Sequence, residues 1–336
     1  MYFSLIIPVY NRPDEILELL ESLTKQDYKN NFEVVVIEDG SILKCEDVIT
    51  GFKEKLDISY YFKENSGPGD SRNYGMKLAK GDYFIIFDSD CIIPNNYLTT
   101  VSISLNAEFV DCFGGSDRAL ESFSAIQKAI NFTMTSFVTT GGIRGGSEKI
   151  QKFQPRSFNM GISKEAFIAS KGFGNIHPGE DPDLAIRLWK LGYKTKLISA
   201  AYVYHKRRID WRKFYTQVNK FGKARPILNS WYPEHAKLTF VFPSAFIILL
   251  DIALILALFK VYFAILLFGV YFISIFTIAS LANKSLKIGF LSLIATCYQF
   301  YGYGLGFINS FYKIHILKMD PKVAFPELFF KEVKND

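Results

Sequence analysis

Cysteine is sparse in this chain of 336 residues: Cys45, Cys91, Cys112 and Cys297 lie far apart, and no CxxC pair occurs. That spacing argues against a zinc site or a disulfide framework and fits a reducing compartment. No internal repeat or low-complexity tract stands out. The amino-terminal run in "MYFSLIIPVYNRP" has no basic stretch before it and is too short for a signal peptide, so it reads as the first strand of a cytosolic domain. Charge is missing too, but only locally. From Phe240 onward it nearly disappears, whereas residues 1–237 have the mixture of a soluble α/β protein. The net charge of +6 is too modest to indicate nucleic acid, and a basic cluster beside an apolar segment points to anionic lipid.

What is present begins with alternation. "YFSLIIPVY", "FEVVVIEDG", "ISYYF" and "DYFIIFDSD" read as buried strands. Between the first two, Pro13 suits a helix start, with Ile16, Leu19, Leu20 and Leu23 as its apolar face. "GPGDSRNYGMKLAKG" opens with glycines and predicts a helix running to Gly81. This pattern predicts an α/β fold with a mostly parallel sheet between helices. Ligands then collect at the carboxyl ends of the strands, where Asp39, Asp88 and Asp90 stand. Beyond residue 105 the signal weakens. "TTGGIRGGSEKIQKFQPRS" reads as a mobile basic loop. A helix follows with Leu184, Leu188 and Leu191 on one face and Gly192 as its stop, and then a short strand through "KLISAAYVYH".

Asp88 and Asp90 pose a physical question. If the strand runs on through them, they face one side, and at ~5 Å and an effective dielectric of about 20 they repel by roughly 3 kcal/mol. A shared proton, a nearby arginine or a divalent cation under a phosphate ester could each offset that cost.

Trp211, Phe214, Tyr215, Val218 and Phe221 recur at helical spacing among Arg212, Lys213, Lys220 and Lys223, which predicts a basic amphipathic helix lying in a membrane interface, with an ordinary packing helix as the alternative. Segments 240–259 and 261–282 are each long enough to cross an apolar layer of about 30 Å at about 1.5 Å per residue, with Asp251 their single charge. Residues 288–312 predict a third span or an interfacial helix. The expected domains are thus 1–205, an interface segment 206–237, a membrane region 238–312 of two to three helices, and a tail 313–336. Lys206 to Lys237 hold nine Lys and Arg against Asp210 and Glu234, which by the positive-inside rule keeps residues 1–237 in the cytoplasm.

Four ordered motifs, "SLIIPVYNRPDEILELLESL", "VVVIEDGS", "NSGPGDSRNYGMKLAKGDYFIIFDSD" and "GFGNIHPGEDPDLAIRLWKLGYK", together resemble inverting glycosyltransferases of family 2, which have the GT-A nucleotide-sugar-binding fold. The membrane tail with "YGYGLGF" is similar to bacterial polysaccharide-assembly members related to succinoglycan-synthesis enzymes. The resemblance implies that Pro8 and Tyr10 border the base and ribose, that Asp39 bonds the base, and that Arg72 faces phosphate. Asp88 and Asp90 match the DxD pair, with Asp90 the direct ligand of Mg²⁺ or Mn²⁺. Asp181 matches the general base, with Glu180 its competitor on the acceptor side. His205 either completes the metal shell or is a structural histidine, and Arg144, with Lys149 and Lys152, either meets an anionic acceptor or lies on a solvated loop.

Two departures stand out. Glu38 replaces the usual first Asp of the DDGS motif, and "QVNKFGKAR" lacks the Trp of the QxxRW segment of processive synthases. The implied activity is transfer of one sugar from a nucleotide-diphosphate sugar to a lipid-linked glycan, at the cytoplasmic face of a bacterial inner membrane. The alternatives are transfer to polyprenyl phosphate and a non-enzymatic membrane scaffold on an inactive transferase domain.

Overall fold

The computed structural model describes residues 1–140, 152–206 and 210–330. In chain order the first elements are β1 (Phe3–Val9), α1 (Pro13–Leu23), β2 (Phe32–Asp39), α2 (Glu46–Thr50), β3 (Asp57–Lys63), α3 (Pro68–Leu78), β4 (Tyr83–Phe87), β5 (Cys91–Ile92), α4 (Tyr97–Ala107) and β6 (Cys112–Arg118). They continue as α5 (Ala125–Thr135), α6 (Phe137–Thr140), β7 (Asn159–Ser163), α7 (Lys164–Ser170), α8 (Glu180–Lys190), β8 (Thr195–His205) and α9 (Trp211–Trp231). The last are α10 (Phe242–Leu258), α11 (Phe263–Asn283), α12 (Leu286–Phe311) and α13 (Pro321–Ala324).

The chain forms two compact units. One is Met1–Arg118 with Gly146–His205 and Phe329–Asp336; the other is Ala119–Gly145 with Lys206–Leu328. Residues 119–140 therefore group with the helical unit.

The first unit is built on an eight-stranded sheet of order β3-β2-β1-β4-β7-β6-β8-β5. β1 pairs in parallel with β2 and β4, and β2 with β3. These strands are apolar without alternation because helices cover both faces, so nearly every side chain of β1, β2 and β4 is buried. On one face Ile16, Leu19, Leu20 and Leu23 of α1 pack against Leu5, Ile7, Val34 and Val36. On the other, Met76 of α3 and Leu184 and Leu188 of α8 pack against Ile6, Val35 and Ile86.

The sheet is mixed where a mostly parallel one was expected. β7 runs antiparallel between β4 and β6, and β5 antiparallel to β8. Strand direction leaves no mark on the periodicity of "NMGIS", whose five residues are all buried whichever way they run. Three boundaries also move. α3 stops at Leu78, because Ala79 is extended at φ −70° and ψ 143°. Leu191 lies beyond the end of α8 and is 52% exposed, while Gly192, at φ +88°, is the stop. β8 is a full strand of 11 residues.

In the second unit the apolar stripe of α9 is covered by protein. Phe214 and Val218 are buried with Ile130 and Met134 of α5 and Ala295 of α12, so this face of α9 packs within the unit, as the packing-helix alternative expects. Glycine explains how closely α9 and α12 approach. Gly302 and Gly306 are four residues apart and share one face of α12, where a β-carbon would run into Val218 and the Asn219 carbonyl. Asn219 Nδ2 donates across the contact to the Gly302 carbonyl at 2.9 Å. Gly304 faces α10 instead, where Ser244 Oγ donates to its carbonyl at 3.2 Å. The "YGYGLGF" run is thus a two-sided helix contact.

One helix among the described residues, α11, is long and apolar enough to cross a membrane by length and composition, against the two to three expected. α10 is apolar but has 17 residues, because a helical turn at Leu238–Phe240 takes up the start of the run and Lys260, at φ +65°, follows its end. α12 has 26 residues but buries Ser292, Thr296 and Ser310 inside the unit. Asp251 of α10 accepts a hydrogen bond from the Tyr301 hydroxyl of α12.

Candidate active site

The parallel register brings the ends of β1, β2, β3 and β4 to one edge, with Val9 opposite Glu38 and Asp39 opposite Lys63. Pro8 is half-buried at this edge and Tyr10 is exposed beyond it. Asn11, at φ +55°, ties the β1 turn to the next one, since its Oδ1 accepts from Ile42 N at 2.8 Å and Leu43 N at 3.0 Å.

Asp39 organises the loop between β3 and α3. Its Oδ1 accepts from Lys63 Nζ at 2.7 Å and Ser66 N at 3.0 Å; its Oδ2 accepts from Gly67 N at 3.0 Å and Asn65 Nδ2 at 3.3 Å. The carboxylate is 5% exposed, so in this arrangement it is occupied by the chain's own donors. Glu38 does similar work on the other side of β2. It accepts from Cys45 N at 2.8 Å, from the Tyr60 hydroxyl at 3.3 Å and from Ser41 Oγ. The longer side chain at the first DDGS position is therefore a buried loop anchor.

Asp88 and Asp90 do not continue a strand. β4 ends at Phe87, and Cys91 N donates to the Asp88 carbonyl at 3.1 Å, closing a tight turn. The expected same-side convergence of the two acids is replaced by separate partners. Asp88 Oδ1 accepts from Arg72 Nη2 at 2.7 Å, and Asp90 Oδ1 lies 3.1 Å from His205 Nε2. Of the three ways to offset their repulsion, the chain supplies the arginine. β8 brings His205 here because Cys91 pairs with His205 across the β5–β8 ladder. The imidazole stacks on Phe158 with ring centroids 4.7 Å apart, which fixes its plane. One donor atom each from Asp90, Cys91 and His205 lies within 4.8 Å of the others. A carboxylate and an imidazole suit Mn²⁺ or a similar dication, whereas the Cys91 thiol is turned to the Phe158 carbonyl at 3.5 Å.

Arg72 also reaches across to α8. Its Nη1 contacts Glu180 Oε1 at 3.2 Å, and the same oxygen lies 2.8 Å from His177 Nδ1. The guanidinium is 3% exposed and sits 5.3 Å from the centre of the Phe173 ring. Burial alone would push Glu180 up, but His177 and Arg72 outweigh it and hold the carboxylate well below its usual range. Asp181 behaves oppositely. Burial and then the neighbouring Glu180 charge push its carboxyl up, to about 6. Its buried Oδ1 has no hydrogen-bond partner among the described residues. Two adjacent carboxyls are thus driven apart, one kept charged and one readily protonated, a pattern common to acid–base sites.

Arg72, Asp88, Glu180 and Asp181 therefore meet at the sheet edge, with Asp90 and His205 paired beside them. Arg144 and Lys149 lie outside the described residues, and Lys152 stands over the Trp189 ring at 5.8 Å. Sequence reasoning missed Lys63, His177 and the Arg156–Ser157 stretch beside Asp181. His177 carried the best signal, since it stands three residues before Glu180 in a quoted motif.

A family model for glycosyl transferase family 2 matches residues 4–167, and one for glycosyl transferase family group 2 matches residues 155–307. Over 95 residues the chain is 41% identical to an uncharacterized glycosyltransferase of Rickettsia bellii, a stretch covering 28% of this chain and 14% of that protein. Over 114 residues it is 37% identical to the poly(ribitol-phosphate) beta-N-acetylglucosaminyltransferase TarS of Staphylococcus aureus, covering 33% and 19% respectively. The matched stretches are thus less than a fifth of either relative's length. The crystal structure of TarS 1-349 superposes with a TM-score of 0.52 at 18% identity, over 95% of this chain and 92% of that one. Mannosyltransferase PcManGT from Pyrobaculum calidifontis, in complex with GDP-Man and Mn²⁺, superposes with a TM-score of 0.58 at 15% identity, over 95% and 88%. These likenesses concern the fold, a GT-A-like mixed sheet. Between them the two glycosyl transferase family models match the chain from residue 4 to residue 307, the first over most of the sheet and the second from β7 into the helical part.

Proposed function

We propose that this protein is an inverting glycosyltransferase that moves one sugar from a nucleotide-diphosphate sugar to a hydroxyl of a lipid-linked glycan, at the cytoplasmic face of a bacterial inner membrane. The observation that carries the reading is Asp181, a half-buried carboxyl pushed up to about 6, with one buried oxygen unpartnered among the described residues, beside the Arg72–Asp88 pair. A carboxylate so placed accepts the acceptor's hydroxyl proton as that oxygen attacks the anomeric carbon. The bond to the diphosphate oxygen breaks from the opposite side, and the nucleoside diphosphate leaves with the electron pair. Arg72 supplies fixed positive charge at this edge, and Glu180, kept ionised by Arg72 and His177, holds the guanidinium in place. Asp90 and His205, with Asp88 adjacent, would hold a divalent cation, whose charge would stabilise the leaving diphosphate. Pro8 and Tyr10 border the base and ribose in this reading, and Asp39 shapes the loop beneath them.

Membrane association is supported by apolar surface on α10 and α11, where Leu249, Ile255, Leu266, Val270 and Ile273 are each more than half exposed. Unpaired apolar surface on this scale costs about 25 cal/mol per Å² in water and little in lipid. A second acceptor reading rests on the relatives named as poly(ribitol-phosphate) transferases, which favours a polyol-phosphate polymer. A screen of nucleotide sugars on purified protein with Mn²⁺ present, reading nucleoside diphosphate release, tests the donor half. Mass analysis of products from a lipid-linked glycan, polyprenyl phosphate and poly(ribitol phosphate) separates the acceptors. No release from any nucleotide sugar would defeat the proposal.

A further inference from the structure

The loop from Phe173 to Gly179, which presents His177 to Glu180, has no regular secondary structure of its own. Its beginning is pinned by α3, where Asn73 Nδ2 donates to the Phe173 carbonyl at 2.9 Å and Phe173 N donates to Asn73 Oδ1 at 2.8 Å. Its end is pinned by α8. The middle is held by a segment more than 150 residues away in sequence. Phe329 forms an antiparallel bridge with Ile176, and Phe330 N donates to the Asn175 carbonyl at 3.4 Å. The Phe330 ring lies 5.9 Å from the His177 ring and fills the space above Gly67, where a β-carbon would overlap it. Gly67 also sits at φ +94°, a conformation glycine adopts without strain, so the approach and the backbone both call for the same residue. Phe330 thereby closes one wall of a cavity of about 240 Å³, shared with Ser66, Asp70, Asn73, Asn175 and His177.

We propose that Phe330 is a positioning residue: it clamps the Asn175–His177 loop so that His177 meets Glu180, and through Glu180 it sets the Arg72–Asp88 pair. The contacts form one chain, from the Phe330 ring to His177, then 2.8 Å to Glu180, 3.2 Å to Arg72 and 2.7 Å to Asp88. His177 depends on such a clamp because its side chain is 39% exposed, and an imidazole that open turns freely unless a neighbour blocks it. If the ring is removed, His177 leaves Glu180 in part of the population. Glu180 and the adjacent Asp181 at the start of α8 then lose their fixed placement. The kinetic part of this inference rests on the transferase reading; the clamp itself does not.

The test uses full-length Phe330→Ala, with Phe330→Leu as the milder replacement should alanine fail to fold and Phe330→Tyr as the conservative one. Hydrogen–deuterium exchange over residues 173–180 is read first, without any substrate. It is expected to rise in the alanine variant, rise less with leucine and stay at wild-type level with tyrosine, while exchange in β1 and β2 is unchanged. In the transfer assay, kcat is expected to fall about tenfold or more in the alanine variant, since small misplacements of catalytic groups are costly, with the donor KM within about twofold. Tyrosine restores the rate. Unchanged exchange over 173–180 overturns the clamp. Raised exchange with an unchanged kcat overturns the positioning role. If the wild type transfers no sugar yet the exchange rises, the clamp stands and the transferase reading fails.

Discussion

Arg72 Nη2 meets Asp88 Oδ1 at 2.7 Å from a position that is 3% exposed, joining the start of α3 to the end of β4. A second hydrogen-bonding arm reaches Glu180 on α8, so one guanidinium joins three separate stretches of chain. Arg72→Ala would leave Glu180 buried without its cation, and losing one partner of a buried pair costs about 3 kcal/mol or more. Arg72→Lys keeps the charge but not the two-armed geometry. The expected order of thermal midpoints is wild type, then lysine, then alanine, with transfer lost in both variants. An alanine variant as stable as wild type would remove Arg72 from this role.

Asp181 predicts opposite changes in activity and stability. Its folded pKa is raised, so the ionised form burdens the fold; that burden is absent below the ordinary carboxylate range and grows as pH rises to about 6. Asp181→Asn should therefore be as stable as wild type near pH 4 and more stable at pH 8, by on the order of 2 kcal/mol. Its transfer rate should fall by ~10²-fold or more, with donor binding retained. In the wild type, activity should be lost as pH falls through about 6, because the base is then protonated. Denaturant melts at the two pH values and a pH–rate profile check both parts.

Asp90 and His205 answer to metal. Asp90→Ala and His205→Ala should each weaken Mn²⁺ binding measured by calorimetry, and chelation should stop transfer reversibly. Full turnover in excess chelator would move the leaving-group role to Arg72.

Glu38 makes a stability prediction that needs no substrate. Replacing it by alanine strands Cys45 N, the Tyr60 hydroxyl and Ser41, for a loss of roughly 2–3 kcal/mol. Glu38→Asp is too short to reach all three and should recover part of it. Urea melts give the comparison.

Sidedness can be read by labelling, but not at Cys45, which is fully buried. Ile42 is 89% exposed, so an Ile42→Cys variant offers a reachable thiol. An impermeant maleimide should leave it unlabelled in intact cells and label it after lysis. Labelling in intact cells would put this domain on the outer face.

Strands β1 to β4 and helices α1 and α3 were legible because their signals are local, such as continuous apolar runs for β1, β2 and β4 and Pro13 with a four-residue apolar stripe for α1, whereas the short α2 and β5 gave none. Chemistry-bearing types in order, Asp39, Arg72, Asp88, Asp90 and Asp181, were legible for the same reason. Tertiary structure alone decided who meets whom. Periodicity carries no strand direction, so β7 and the mixed sheet were invisible. An amphipathic stripe does not say what covers it, and α9 turned out to be packed on α5 and α12. Asp88 and Asp90 looked like a convergent pair because spacing assumes an extended strand; the turn after Phe87 gave one to Arg72 and the other to His205. Phe330 had no local signal at all, since its meaning lies in Gly67 and His177, more than 150 residues away, and only the folded chain brings them together.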